Sequence, residues 1–438
     1  VATSPETSDA ASVWTFVAPE AVVPPASSVN AQVEKGISAL QAWARRVPDA
    51  LAQWWVASGV GEPAGGGEAT DLPPEENGPR PVPASLLERI APAPDWSAAV
   101  AALDAALKPW MAEPSGVPAL VLAPCYQGAP SIVRRWGEAH GWAIVDPPPR
   151  DAIPQPHAVA DWLAAREQRD MPWVLPQVER CYLRTPRGLA FMRQLLDQWA
   201  DGALGQGLIG CDPHAWAYLQ RVWPGQLAHR LTLQPFPPDA LARWLRALAA
   251  SHRPNGQAPV SFRKAGADDL VLPEHSAAAD GSTAPPNDEP TRAYLRGLAV
   301  YSQGYPGVAW TLWRRSLLLP PDEPSPEADE PSGEASEAEQ TIWVRPWSEV
   351  ERPQRPSDFA QPDAFVLHAL LLHGGLSAGQ LSPLLPTDQY ALRQRLHRLR
   401  AAGFVVKEAA TWQLTPAGYP AACDMLRREA YLPDPYAP

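Results

Sequence analysis

The stretch of this chain best suited to chemistry is GVPALVLAPCYQGAPSIVRRWGEAHGWAIVDPPP, residues 116–149. Its apolar run from Ala119 to Leu122 predicts a strand, Ala123 to Gly128 a turn, Ser131 to His140 a helix, and Trp142 to Val145 a second strand. In that frame the pattern G-x-x-x-x-G-K-[ST] cradles nucleotide phosphates, with backbone N–H groups and the Lys on phosphate oxygens and the hydroxyl on Mg²⁺. Here Ala123 stands at the first Gly, Gly128 at the second, Ala129 at the Lys and Pro130 at the Ser or Thr. Ala129 carries no charge, and Pro130 has neither hydroxyl nor N–H. Each charge-assisted contact is worth roughly 1.5–3 kcal/mol, so losing two or three weakens nucleotide binding by about three orders of magnitude or more. The segment implies a nucleotide site without its chemistry; an ordinary βαβ unit that never held phosphate is the plain alternative.

A second strand-like run, MPWVLPQV over 171–178, has the character of the strand whose end supplies an Asp for Mg²⁺ and a Glu for water. Pro176 and Gln177 occupy that end, and Glu179, two residues late, is the nearest carboxylate. Arg180, Arg184 and Arg187 follow, as a solvated loop or as reach toward a neighbouring subunit. Cys211 and His214 are the one Cys/His pair at ligand spacing, and packing explains them better than a metal. HGGLSAG at His373 lacks an accompanying G-x-S-x-G, so a helix end with a glycine cap is the better reading. No paired-carboxylate or nucleophile–base set follows from the spacing, and we expect no catalytic residue, cofactor or metal.

The positioning elements come from the rest of the chain. Its 438 residues suffice for two or three domains, and 54 Pro and 29 Gly concentrate in blocks that mark linkers. A formal charge of −12 argues against coating by nucleic acid, though a local basic face is compatible with it. The four cysteines lie far apart, as in a reducing compartment, and no apolar run approaches the ~18 residues of a membrane span, so a soluble, cytoplasmic protein is expected. We divide the chain into an N-terminal arm, amphipathic helix and flexible linker (1–84), an α/β domain (85–252), an insertion loop and helical lid (253–319), an acidic Pro-rich linker (320–360) and a C-terminal module (361–438). The two linkers, 59–83 and 320–357, are expected to be protease-sensitive, with Ile342 to Trp347 adding a strand or clipping onto a domain.

The order of these elements resembles an AAA+ or related STAND-type P-loop ATPase. The resemblance covers about 85–320 and rests on a degenerate P-loop, a degenerate Walker B strand, a polar strand end at Cys211 and Asp212 like sensor 1, PFPPDAL entering a small lid, and a lid helix GYPGVAWTLWRRSL. It implies a parallel sheet with a helical lid, and it places Arg314 or Arg315 at the basic sensor 2 position.

Residues 361–430 are similar to a winged helix of bacterial regulators, through Leu396, Leu399, Gly403, Phe404, Val405, Leu414, Thr415, Pro416 and Gly418. Its third helix carries Leu392, Leu396 and Leu399 on the core face, leaving Tyr390, Gln394, His397 and Arg398 outward with Arg393 and Arg400 on the flank. Those types suit base edges and phosphates, a protein partner, or simply water. Before the first linker, a helix over 28–58 presents Trp43, Trp54 and Trp55, suited to a protein partner, to packing on the main domain, or to peripheral membrane contact. The expected whole is an α/β P-loop NTPase-like domain with a lid, a winged helix and a helical N-terminal extension. Its function is read as an inactive pseudo-ATPase scaffold with a protein partner or as an oligomer; a DNA-binding regulator and a non-standard ATPase are the alternatives.

Overall fold

The computed structural model describes residues 13–24, 79–113, 118–155, 160–162, 164, 171–225, 227, 229–251, 260–267, 269–272, 289–321 and 340–432. Trp43, Trp54, Trp55 and the helix expected over 28–58 lie outside them. In chain order come β1 (Phe16–Val17), β2 (Arg80–Pro81), α1 (Ala84–Ile90), α2 (Ser97–Met111), β3 (Ala119–Leu122), α3 (Ala129–Ala139), β4 (Ala143–Ile144) and β5 (Trp173–Leu175). Then follow α4 (Pro186–Ala200), β6 (Gly207–Cys211), α5 (Pro213–Val222), β7 (His229–Leu233), α6 (Pro238–Ser251), β8 (Val260–Lys264), α7 (Glu289–Ser302), α8 (Pro306–Ser316) and β9 (Leu317–Leu319). The chain ends with β10 (Gln340–Val344), α9 (Gln361–His373), β11 (Leu376–Ser377), α10 (Ala378–Leu381), α11 (Gln389–Ala401), β12 (Val405–Glu408), β13 (Thr411–Leu414) and α12 (Gly418–Arg428).

The main sheet has the order β1-β7-β3-β6-β5-β4, parallel except for β1, which pairs Phe16 with Leu233 on the β7 edge. Both faces are covered, as a parallel sheet requires. Side chains alternate across it: Ala119, Val121, Val174 and Leu208 pack under α2 and α3, whereas Leu120, Leu122, Leu175 and Ile209 pack under α4 and α5. The chain leaves β3 for the far edge at β4 and returns strand by strand to β6 before crossing to β7 on the other side of β3. The connections diverge around β3, and in open α/β sheets the crevice at the carboxyl ends beside such a point is where ligands sit.

A second sheet, β2-β9-β10-β8, alters the expected boundaries. Residues 340–350, expected within a linker, supply a central strand with Ile342 and Val344 fully buried, parallel to β8 from the expected insertion loop. Arg80 and Pro81, expected in the first linker, pair with β9. The alternation of apolar side chains in QTIWV is what the acidic neighbourhood masks at the level of composition.

The C-terminal elements follow the expected pattern. Ser377 and Asp388 cap α10 and α11 through the N–H groups of Gln380 and Ala391, Gly403 ends α11 at φ 79°, and β12 pairs with β13 as a wing. This winged-helix-like module shares one apolar core with the lid and with the α2 and α3 face of the main sheet, instead of hanging from a tether.

Candidate functional site

At the carboxyl end of β3 the chain makes a short 3-10 turn over Cys125–Gln127 and enters α3 through Gly128 at φ 82°. Two N–H groups that a phosphate cradle needs are spent inside this turn: Gln127 N donates to Pro124 O (2.9 Å) and Gly128 N to Cys125 O (3.1 Å). Pro130 has none to offer. Gln127 is fully buried, with Nε2 on Leu233 O at 3.3 Å.

Neighbours then close on the turn. A Cβ at Gly128 would meet the Trp96 ring at 2.6 Å, and one at Gly307, in the first turn of α8, would meet the Tyr126 carbonyl oxygen at 2.4 Å. From the winged helix, the Tyr419 ring stands 5.3 Å from that of Tyr126, whose hydroxyl donates to Leu414 O.

The strand ends beside the turn bring two carboxyls together. Asp212, at the end of β6, caps α5 through Oδ1, which accepts from His214 N (2.8 Å) and Ala215 N (3.4 Å), while Oδ2 accepts the Tyr419 hydroxyl (2.9 Å). Burial raises its pKa to about 6, against these hydrogen bonds. Glu179, in the turn after β5, is raised to about 7 by burial and then by the Asp212 charge, and its Oε2 has no hydrogen-bond partner among the described residues. Burial, Asp212 and Glu179 in that order push the Cys125 thiol up, so it is no thiolate nucleophile. Glu179 therefore lies beside Asp212, with Gln177 Nε2 at 3.5 Å from its Oε1, and it is in part protonated near neutrality.

Arg150 fixes the winged helix from the other side. Its guanidinium donates to Tyr182 O (3.3 Å) and to His373 O, the carbonyl end of α9, where a cation opposes the helix dipole. Burial and then Arg180 lower its pKa to about 10. His373 Nε2 accepts the Arg184 N–H (3.1 Å) and Nδ1 faces Ala369 O (2.8 Å), which defines a neutral ring protonated on Nδ1. Burial, followed by Arg150, holds its pKa down to about 3. Gly374 and Gly375, at φ 58° and 99°, end α9, so HGG is a helix end as expected.

At its carboxyl edge the parallel sheet thus carries a turn entering a helix beside the switch point and two carboxyls near the neighbouring strand ends. It is an open α/β sheet covered by helices on both faces. No protein-family profile matches the chain, and no curated protein matches it either. Among solved structures, the Aeropyrum pernix Orc1 protein in complex with DNA is 14% identical with a TM-score of 0.30, covering 77% of this chain and 94% of that one. The Walker-type ATPase PABY2304 of Pyrococcus abyssi is 12% identical with a TM-score of 0.31, covering 77% and 97%. Overlaps this loose bear on neither activity nor partner.

Other expected residues sit elsewhere. Arg314 pairs with Glu88 (2.6 Å) and donates to Ala91 O (2.8 Å), its guanidinium over the Trp310 ring. Arg184, expected in a solvated loop, meets His368 at 3.1 Å. On α11, Tyr390, Arg393, Gln394, His397 and Arg400 are exposed, but Arg398 is not an outward contact: Nη2 pairs with the fully buried Asp363 at 2.6 Å, Nη1 with Asp358, and Arg395 joins Asp363 at 3.2 Å. A buried carboxylate needs these partners more than DNA does. Sequence spacing gave no sign of Arg150 or of the Tyr419 contact. Among the described residues no three His, Cys, Asp or Glu side chains gather as a metal-ligand set, and no helix is long and apolar enough to cross a membrane.

Proposed function

We propose that this chain is a catalytically inactive relative of P-loop ATPases by fold, serving as a scaffold or regulatory interaction subunit of a larger assembly. The observation that carries this reading is the state of the turn after β3. The N–H groups of Gln127 and Gly128 bond within the turn, Ala129 and Pro130 replace the Lys and the hydroxyl, and Tyr419 of the winged helix donates to Asp212. A phosphate brought there would meet two carboxyls and no Lys, a repulsive site in a low-dielectric setting. Titration calorimetry of the full chain with Mg·ATP is the test. The reading expects no saturation below ~1 mM, whereas a dissociation constant near ~1 μM, about 4 kcal/mol tighter, overturns it.

A second reading is a DNA-binding regulator that uses α11. In its favour, the helix turns Tyr390, Arg393, Gln394, His397 and Arg400 outward while the module docks on the main domain through α9, β13 and α12.

A further inference from the structure

A cavity of about 250 Å³ opens between α7 and the second sheet, well apart in the fold from the turn after β3. Its walls are apolar: Val271 and Val344 are buried, the Tyr294 ring is held by its hydroxyl on Ser316 Oγ (2.8 Å), and Trp347 stands edge-on to Tyr294 at 5.9 Å. Two cations share this lining. Lys264 ends β8 opposite Val344 in the parallel register, and Arg345 follows immediately, so the two strands deliver both to one end of the cavity. Among the described residues neither forms an ion pair, and the Arg345 Nε is buried without a hydrogen-bond partner. Asp269 is the one carboxylate among the described lining residues.

A buried guanidinium N–H without an acceptor is costly, and a second cation beside it adds repulsion. An anion bridging the two relieves both terms, while aromatic and aliphatic walls favour an apolar body. We propose that this cavity binds a small carboxylate with an apolar body, up to about the size of a phenylalanine, its carboxylate on Arg345 and Lys264 and its body against Tyr294, Val271 and Trp347. Asp269 separates two sources of that chemistry. A simple acid such as phenylacetate gains nothing from it, whereas an α-amino acid places its ammonium there.

The experiment is calorimetry of the full chain with phenylacetate and with phenylalanine, benzyl alcohol serving as the neutral control. Saturable binding of at least one carboxylate, with a dissociation constant below ~1 mM and none for benzyl alcohol, is expected. Arg345→Met and Lys264→Met, checked for unchanged near-UV circular dichroism, are each expected to weaken binding tenfold or more. Should either variant misfold, Ala293→Trp at the exposed rim is expected to block binding while leaving the strand ends intact. Asp269→Asn is expected to weaken phenylalanine and to leave or strengthen phenylacetate if the amino acid is the ligand, and to strengthen phenylacetate alone if the simple acid is. No saturation by either carboxylate up to ~10 mM, binding shared equally by benzyl alcohol, or binding indifferent to Arg345→Met and Lys264→Met overturns the proposal.

Discussion

Tyr419 donates its hydroxyl to Asp212 across 2.9 Å, joining a helix of the C-terminal module to the strand end that, in a nucleotide-binding sheet, faces the phosphates. Both groups are buried, and Asp212 depends on this bond for its Oδ2. Tyr419→Phe removes the donor and keeps the ring against Tyr126. A hydrogen bond to a charged group contributes about 1.5–3 kcal/mol, so a loss of stability of that order is expected, measured by chemical denaturation with the slope unchanged. A change within ~0.5 kcal/mol means that the bond does not hold the module.

Glu179 gives a pH-dependent signature. Its pKa rises from 4.5 in the unfolded chain to about 7 when folded, so the native state binds the extra proton. Stability from this group is therefore complete at low pH and is lost as pH climbs from about 4.5 to 7. The buried histidines His214 and His373 and the half-buried His368, with pKa values lowered to about 3, 3 and 4, act in the opposite sense, losing stability as pH falls below the usual histidine range. The contrast between Glu179→Gln and the parent chain isolates the carboxyl. The variant is expected to gain relative stability as pH rises through that window, by at most about 3 kcal/mol, and to gain nothing further above it. A difference that shrinks with rising pH contradicts the burial of Glu179.

Gly128 serves packing in this chain, whatever it once served. It holds φ 82° at the start of α3 with the Trp96 ring where a Cβ would go. Gly128→Ala is expected to lower stability by about 1–3 kcal/mol through the strained backbone and the displaced ring. Thermal unfolding without any nucleotide reads the effect, and a melting temperature equal to that of the parent chain counts against it.

The parallel sheet and the winged-helix pattern were legible because each rests on local signals: apolar runs of strand length, caps at Ser377 and Asp388, and a glycine stop at Gly403. The second sheet was less legible, since β8 and β10 come from opposite sides of α7 and α8 and each lies beside a Pro-rich acidic or polar tract. The closing of the turn was not legible at all. Tyr419 is 207 residues from Asp212, and His373 is 223 from Arg150, and no spacing rule relates them. Arg398 misled for a related reason: helical periodicity gives the direction of a side chain but not the presence of Asp363 on the neighbouring helix.

Docking of the module also predicts a proteolysis result different from the one that composition suggests. Cutting with a Glu-specific protease within 322–339, which holds Glu323, Glu327, Glu330, Glu334, Glu337 and Glu339, is expected to nick the chain without releasing the C-terminal part. β10 stays paired with β8 and β9, and the winged helix shares the apolar core. Gel filtration should give one peak containing both fragments, separable only in denaturant. A C-terminal fragment eluting alone from native buffer contradicts this packing.

The choice between scaffold and DNA-binding regulator turns on which cations of α11 are tested. Arg398→Ala is uninformative, since it strips the fully buried Asp363 of its closest cationic partner and leaves Arg395 and the Ala360 N–H; breaking such a pair costs on the order of 3–5 kcal/mol. Arg393 and Arg400 are exposed and take no part in that network. If α11 holds DNA, Arg393→Ala with Arg400→Ala should weaken a gel shift by the full-length protein about evenly across sequences and reduce the slope of log affinity against log salt by about 2. Gln394→Ala should instead relax selectivity, because amide groups read adenine edges. If the chain is a scaffold, no sequence-selective DNA shift exists for these substitutions to abolish, and Trp54→Ala with Trp55→Ala weakens a protein partner while the thermal transition stays in place, since aromatic anchors carry much of the binding energy at interfaces. A salt-dependent, sequence-selective shift abolished by the arginine pair replaces the scaffold with the regulator. Indifference to both pairs rejects both readings.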